Sequence, residues 1–101
     1  MHPDLMDEYE NEDFEWSLAK AASNLREHGV SFEEASEIFE SSYQYHHDDV
    51  HSDEEEHFEA VGRTLNWRIL VVIYCHRGPR RRIISAWRAN SYERAAYDPG
   101  L

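Results

Sequence analysis

At 101 residues, with 41% apolar and 31% charged side chains, the chain has room for one domain and one modest core. Its 4 glycines and 3 prolines are too few for a disordered or collagen-like polymer, and a formal net charge of -11, taken as a total, argues against a polyanionic partner. The total conceals a split, because residues 1–61 hold 19 acids against Lys20 and Arg26, whereas residues 62–101 hold 8 arginines against Glu93 and Asp98. Either the fold pairs the two halves internally, or a basic face remains for a polyanion or an acidic partner.

In chain order, residues 1–13 read as a flexible acidic tail and residues 14–98 as a single domain. Phe14-Glu15-Trp16 alternates as a short strand, and Ser17 can cap a helix whose apolar stripe is Leu18, Ala21, Ala22 and Leu25. Gly29 suits the left-handed stop of that helix. Ser31 and Glu34 have capping-box spacing for a second helix, which buries Phe32, Ala35, Ile38 and Phe39. Residues 41–56 are polar and irregular, with a short strand at Tyr43–His46. Three strand-like runs follow, His57–Arg63, Arg68–His76 and Arg80–Trp87, joined by short connections as an antiparallel meander. Asn90 and Glu93 cap a final helix through Tyr97, ended by Pro99-Gly100. The expected class is α+β: a small antiparallel sheet with two N-terminal helices packed on one face and a short C-terminal helix.

The lone Cys75 sits in an apolar run, which excludes a disulfide framework and points to a reducing compartment. No apolar segment is long enough to span a bilayer and no apolar leader is visible, so the expectation is a cytoplasmic protein. Two polar rows carry potential chemistry. Lys20, Asn24 and His28 lie at i, i+4 and i+8 on helix one, away from Leu18 and Leu25; they suit phosphate binding and proton transfer, or simply a solvated face. Arg82, Ile84, Ala86 and Arg88 share one strand parity, with Arg80 before them and Arg63 closing a neighbouring run. Guanidinium forks there suit phosphodiester recognition, or guard a sheet edge against aggregation. The loop HHDDVHSDEEEH has neither the helical spacing of a zinc site nor the glycine of a calcium loop, so it reads as solvated and no metal or other cofactor is expected.

The runs FEWSLAKAASNLREHGVSFEEASEIF, HSDEEEHFEAVGRT, RILVVIY and RRIISAWRANSYERAAYD, spanning Phe14 to Asp98, resemble the BrnT toxins of bacterial type II toxin–antitoxin modules. The resemblance implies a RelE-like α+β fold and a metal-independent endoribonuclease that inhibits translation by attack of the RNA 2′-hydroxyl on the adjacent phosphate. It also implies a ribbon-helix-helix antitoxin (BrnA-like) as partner, with operator DNA reached only through that antitoxin. Carried over by position, Lys20, His28, Arg63 and Arg82 become the catalytic set, with His28 as general acid/base and the others on the scissile phosphate. Arg88, Arg94 and Tyr97, carried over likewise, join Asn24 and Arg80 of the two polar rows as expected RNA-binding positions. The chain departs from the family pattern at Trp87, Glu27 and His57, where basic residues are usual. These losses of positive charge leave a second reading open, a binding module that has lost catalysis and acts only in the antitoxin complex.

Overall fold

The computed structural model describes residues 7–50 and 55–97 of the chain. Residues 1–6, His51 of the acidic loop and the Pro99-Gly100 helix stop lie outside the described residues. The elements are β1 (Glu8–Glu10), β2 (Phe14–Ser17), α1 (Leu18–His28), α2 (Phe32–Ser36) continuing into a 3-10 turn (Glu37–Glu40), β3 (Gln44–His47), β4 (Phe58–Arg63), β5 (Ile69–Arg77), β6 (Arg80–Arg88) and α3 (Ser91–Tyr97). The strands form one 6-stranded sheet in the order β1-β2-β6-β5-β4-β3.

The meander β4-β5-β6 is antiparallel as expected, and β3 extends it antiparallel to β4. On the far side, however, β2 runs parallel to β6, and β1 pairs antiparallel with β2. The sheet is therefore mixed and wider than the small antiparallel one expected. Alternation in Phe14-Glu15-Trp16 identifies a strand but not the direction of its partner, which the long crossover through both helices decides.

Glu8–Glu10 fall within the segment expected to be a flexible tail, yet they form a strand. The cause is electrostatic and aromatic together. Arg82 Nη1 donates to Glu15 Oε2 at 2.7 Å and to Glu8 Oε1 at 2.5 Å, tying β6 to β2 and β1. On the opposite face Tyr9 stacks on Trp16, with ring centroids 4.3 Å apart.

The local signals operate as read. Ser17 Oγ accepts from the Lys20 N–H, and Gly29 closes α1 at φ 68° with its N–H on the Leu25 carbonyl. Ser31 Oγ accepts from the Glu34 N–H, while the Glu34 carboxylate is turned instead to Arg68. Asn90 and Glu93 form the full reciprocal box that starts α3, each side chain accepting from the other's N–H at 2.8 Å.

One face of the sheet carries the core, in which Phe32, Ala35 and Ile38 pack with Val30 onto Trp16, Ala60, Leu70, Val72, Tyr74, Ile83 and Ala86. Burying a side chain such as Phe32 or Leu70 contributes about 1.5–3 kcal/mol. Gly62 lets the 3-10 turn approach β4, since a Cβ there would stand 2.8 Å from Ile38 Cβ. On the other face α3 lies by β3 and β4: the Tyr97 hydroxyl donates to the Ser42 carbonyl at 2.7 Å, and Gln44 Nε2 to the Tyr97 carbonyl at 2.8 Å.

Helix α1 is rotated from its expected setting. Leu18 and Leu25 are 44% and 53% exposed, whereas Asn24, from the supposedly solvated row, is only 5% exposed. The reason is a bulge in β6: Ile73 pairs with Ser85 and Tyr74 with Ile83, leaving Ile84 extra. Asn24 serves the backbone beside it. Its Nδ2 donates to the carbonyls of Val30 and Ala86, both at 2.9 Å, and its Oδ1 accepts the Ala86 N–H at 3.1 Å. Buried backbone polar groups demand such partners, and that demand outweighs the pull of two leucines.

The bulge also overturns the expected arginine row. Arg82 pairs with Cys75 and Arg88 with Leu70, positions of opposite parity on β5, so the two arginines lie on opposite faces.

Two predictions follow from this packing. Asn24→Leu strands the Ala86 N–H and two carbonyls in a dry site, and should lower unfolding free energy by about 2–4 kcal/mol in urea titrations. The Arg82 guanidinium holds the Glu8 carboxyl below the usual carboxylate range through its hydrogen bond, against a smaller opposing effect of burial. A depressed carboxyl adds stability at neutral pH that is lost as pH falls through its folded pKa. The melting-temperature gap between the wild-type protein and Glu8→Gln should therefore be largest near pH 7 and close below pH 4 (on the order of the reference carboxylate pKa).

Candidate functional site

The basic residues divide sharply by their partners. Arg68 is held by Glu34 at 2.8 Å and Arg77 by Glu55 at 2.8 Å, while Arg82 carries its two carboxylates. Those carboxylates hold the Arg82 guanidinium firmly in its charged form, its pKa raised chiefly by the hydrogen bond it donates to Glu8. Arg80 donates to the Asn11 carbonyl at 2.6 Å and lies 3.7 Å from Glu10. Arg81 lies over the Phe39 ring, 4.5 Å from its centroid, and donates to the Tyr43 hydroxyl. Among the described residues, Lys20, Arg26, Arg88 and Arg94 form no ion pair and no side-chain hydrogen bond.

Three of these four free cations gather along one border of the molecule. Lys20 and His28, two turns apart on α1, line a cleft of about 290 Å³ with Ser23, Asn24, Glu27, Ile84 and Ser85. The floor of this cleft is the β6 bulge, and Asn24 is committed to holding it. At its far end the His28 ring faces Trp87, centroids 6.2 Å apart. Next to Trp87 comes Arg88, which shares a polar cleft of about 260 Å³ with Arg94, Asn66 and Trp67. Arg68 joins the two clefts, lining the second while its Nη2 donates to the Gly29 carbonyl behind His28 at 3.2 Å.

The residues expected to act together are thus distributed. Lys20, Asn24 and His28 share one cleft, and Arg88 and Arg94 share the next. Arg63 and Tyr97 line a third cleft with Ser42, Tyr43 and Gln44. Arg82 and Arg80 lie with the acidic strand β1 and its flanking turn. None of these three clefts holds Lys20, His28, Arg63 and Arg82 together. The sequence reading missed Trp67, which stands 76% exposed at the β4–β5 turn, and Ser85, which the bulge turns toward Asn24. An aromatic residue in a tight turn between Asn66 and Arg68 was the available signal for the first; nothing in the local pattern marks the second.

One cluster has metal-ligand character. The ligand atoms of Glu55, His57 and Cys75 lie within 4.8 Å of one another. The donor set fits a cation poorly, because Glu55 is engaged by Arg77 in two hydrogen bonds. Burial also pushes the Cys75 thiol pKa up, away from the thiolate that metals bind. The neighbouring histidines are paired with carboxylates, His46 with Glu59 at 2.8 Å and His47 with Asp49 at 2.7 Å.

This geometry can position a phosphodiester beside an imidazole, with guanidinium groups further along the strand. It also bears comparison with known proteins. The solved structure of the Brucella abortus ribonuclease toxin BrnT is similar in fold, with a TM-score of 0.59 at 20% identity over 75% of this chain and 94% of that one. No curated protein matches the sequence. Residues 16–93 match the family model described as the ribonuclease toxin, BrnT, of type II toxin–antitoxin systems, and the chain belongs to that family.

Proposed function

We propose that this protein is an endoribonuclease toxin that cleaves RNA through the α1–β6 cleft without a metal ion and so inhibits translation. The carrying observation is the set of free cations Lys20, Arg88 and Arg94 strung beside His28, in a molecule whose other described arginines are almost all engaged by its own acids, carbonyls and rings.

In the reaction the RNA 2′-oxygen bonds to the neighbouring phosphorus, the 5′-oxygen leaves, and a 2′,3′-cyclic phosphate forms. A proton must leave the 2′-hydroxyl and one must reach the 5′-oxygen. His28 carries an imidazole, a group able both to take up and to give up a proton, and its exposed position on the last turn of α1 gives substrate access to it. Lys20 offsets the charge that builds on the phosphate, and Arg88 and Arg94 hold the flanking backbone. Arg82 acts through the framework, clamping β1 and β2 to the strand that forms the cleft floor. Arg63 and Tyr97 extend RNA contact beyond the β4–β5 turn.

Membership of a type II family implies an antitoxin partner. The partner we propose is a ribbon-helix-helix protein that neutralises the toxin and carries the complex to operator DNA. Among the described residues no helix is long and apolar enough to cross a membrane, and the proposed site of action is the cytoplasm, where RNA is met.

The test is cleavage of RNA by purified protein in excess EDTA. His28→Ala should lower the rate about 100-fold or more while leaving the melting temperature unchanged, because the side chain is exposed. Arg82→Ala should instead lower the melting temperature. Intact RNA with the wild-type protein, together with retained antitoxin binding, would replace the enzyme with a binding module.

A further inference from the structure

The turn between β4 and β5 is built in a way the fold itself does not require. Trp67 adopts φ 64°, the one non-glycine residue in the left-handed region among those described. A bulky side chain there carries a backbone cost of order 1 kcal/mol. Burial does not offset it, since the indole is 76% exposed. The backbone around it is nevertheless firmly held. The Trp67 N–H donates to the Thr64 carbonyl at 3.0 Å, the Thr64 N–H to the Arg68 carbonyl at 2.8 Å, and the Arg68 N–H to Thr64 Oγ1 at 3.2 Å. A rigid hairpin turn thus holds a large aromatic ring out in solvent.

The surroundings of the ring say what it suits. The Arg63 guanidinium lies over it, 5.0 Å from the centroid, so that one side of the indole is backed by a cation. Arg88, Arg94 and Asn66 line the cleft that Trp67 shares with Ile69 and Ala89. Two unpaired guanidinium groups beside an exposed ring combine an aromatic platform with charges spaced along a backbone, the pattern by which single-stranded nucleic acid is held. An acidic peptide would use the arginines, but a flat π surface next to them matches a base better than a carboxylate.

We infer that Trp67 is a base-stacking platform: an unpaired base of single-stranded RNA lies on the indole, and Arg88 and Arg94 hold the phosphates on either side of it. The inference rests on RNA being the substrate, and it assigns the β4–β5 turn as the place where a nucleotide outside the reacting cleft is gripped. The cleft of Lys20 and His28 lies one step away, across Trp87 and Arg88, so a strand gripped by the turn continues toward the imidazole.

The experiment uses a fluorescein-labelled, uncleavable 2′-O-methyl RNA octamer, with binding followed by anisotropy. Trp67→Gly is the informative variant, because glycine takes the left-handed conformation freely and the melting temperature should stay equal or rise. It should weaken binding about 10- to 100-fold, while Trp67→Phe stays within about threefold of the wild-type protein. Arg88→Ala and Arg94→Ala should each reduce the slope of log affinity against log salt by about 0.7, whereas Trp67→Gly leaves that slope unchanged. Wild-type affinity in Trp67→Gly overturns the platform, even where RNA cleavage by the wild-type protein upholds the ribonuclease reading. Trp67-dependent binding by a protein that cannot cleave unmodified RNA supports the platform and removes the enzyme. Loss of antitoxin binding in Trp67→Gly with RNA affinity intact overturns the platform in favour of a protein-docking turn.

Discussion

The placement of Lys20 and His28 over β6 depends on one buried side chain, Asn24, and the strand irregularity it serves. A bulge frees backbone hydrogen-bonding groups where β6 passes beneath α1, and these groups would be costly in a dry core. Asn24 satisfies both the N–H and the carbonyl of Ala86 and also the carbonyl of Val30, which leads into α2. A single carboxamide thereby fixes the rotation of α1, the course of β6 and the entry to the second helix. Lys20 and His28 flank Asn24 on the same helical row, so these two exposed side chains line the cleft above the bulge. The site is built around a structural residue that sits in its middle.

The charge distribution gives the second constraint. An acidic N-terminal half and an arginine-rich C-terminal half look like a molecule offering a broad basic face, yet much of that opposition is settled internally. Glu8 and Glu15 take up Arg82, Glu34 takes up Arg68, and Glu55 takes up Arg77. What remains is a narrow band of uncompensated cations at the border of α1 and β6. Within a Debye length of that band an RNA phosphate meets positive charge, and beyond it the net charge of -11 repels. For the proposed RNA substrate, attraction is then short-ranged and salt-sensitive, so contacts that do not depend on charge, such as base stacking, gain in importance.

The proposed RNA contacts therefore concentrate at one end of the fold. The C-terminal turn of α1, the end of β6 and the β4–β5 turn approach one another there, linked through Arg68, which reaches from its own strand to the carbonyl behind His28. The opposite side of the sheet serves stability, with β1 and β2 clamped by Arg82. Between these regions, His46 and His47 of β3 are paired with carboxylates, and Glu55 is taken up by Arg77, which leaves these groups little donor capacity for a metal. The division fits the proposed function, in which few residues contact RNA and most of the surface is left for the antitoxin partner.

Much of this was legible along the chain. Hydrophobic period and capping residues identify α1, α2, the three strands of the meander and α3, because those signals are local: a serine three residues before an amide, a glycine able to take positive φ, an apolar run with short turns on either side. The family could be read in the same way, from motifs that span the domain. Three things could not. The parallel pairing of β2 with β6 and the recruitment of Glu8–Glu10 depend on strands more than sixty residues apart in sequence meeting in space. The bulge in β6, which sends Arg82 and Arg88 to opposite faces, arises from a register between two strands, while parity along one strand assumes there is none. The exposure of Leu18 and Leu25 follows from Asn24, since periodicity weighs apolar area and is blind to the hydrogen bonds a distant backbone demands. Local chemistry determined the elements and the family of this protein; only tertiary structure decided which cations stay unpaired, because that depends on which acids the fold brings beside them.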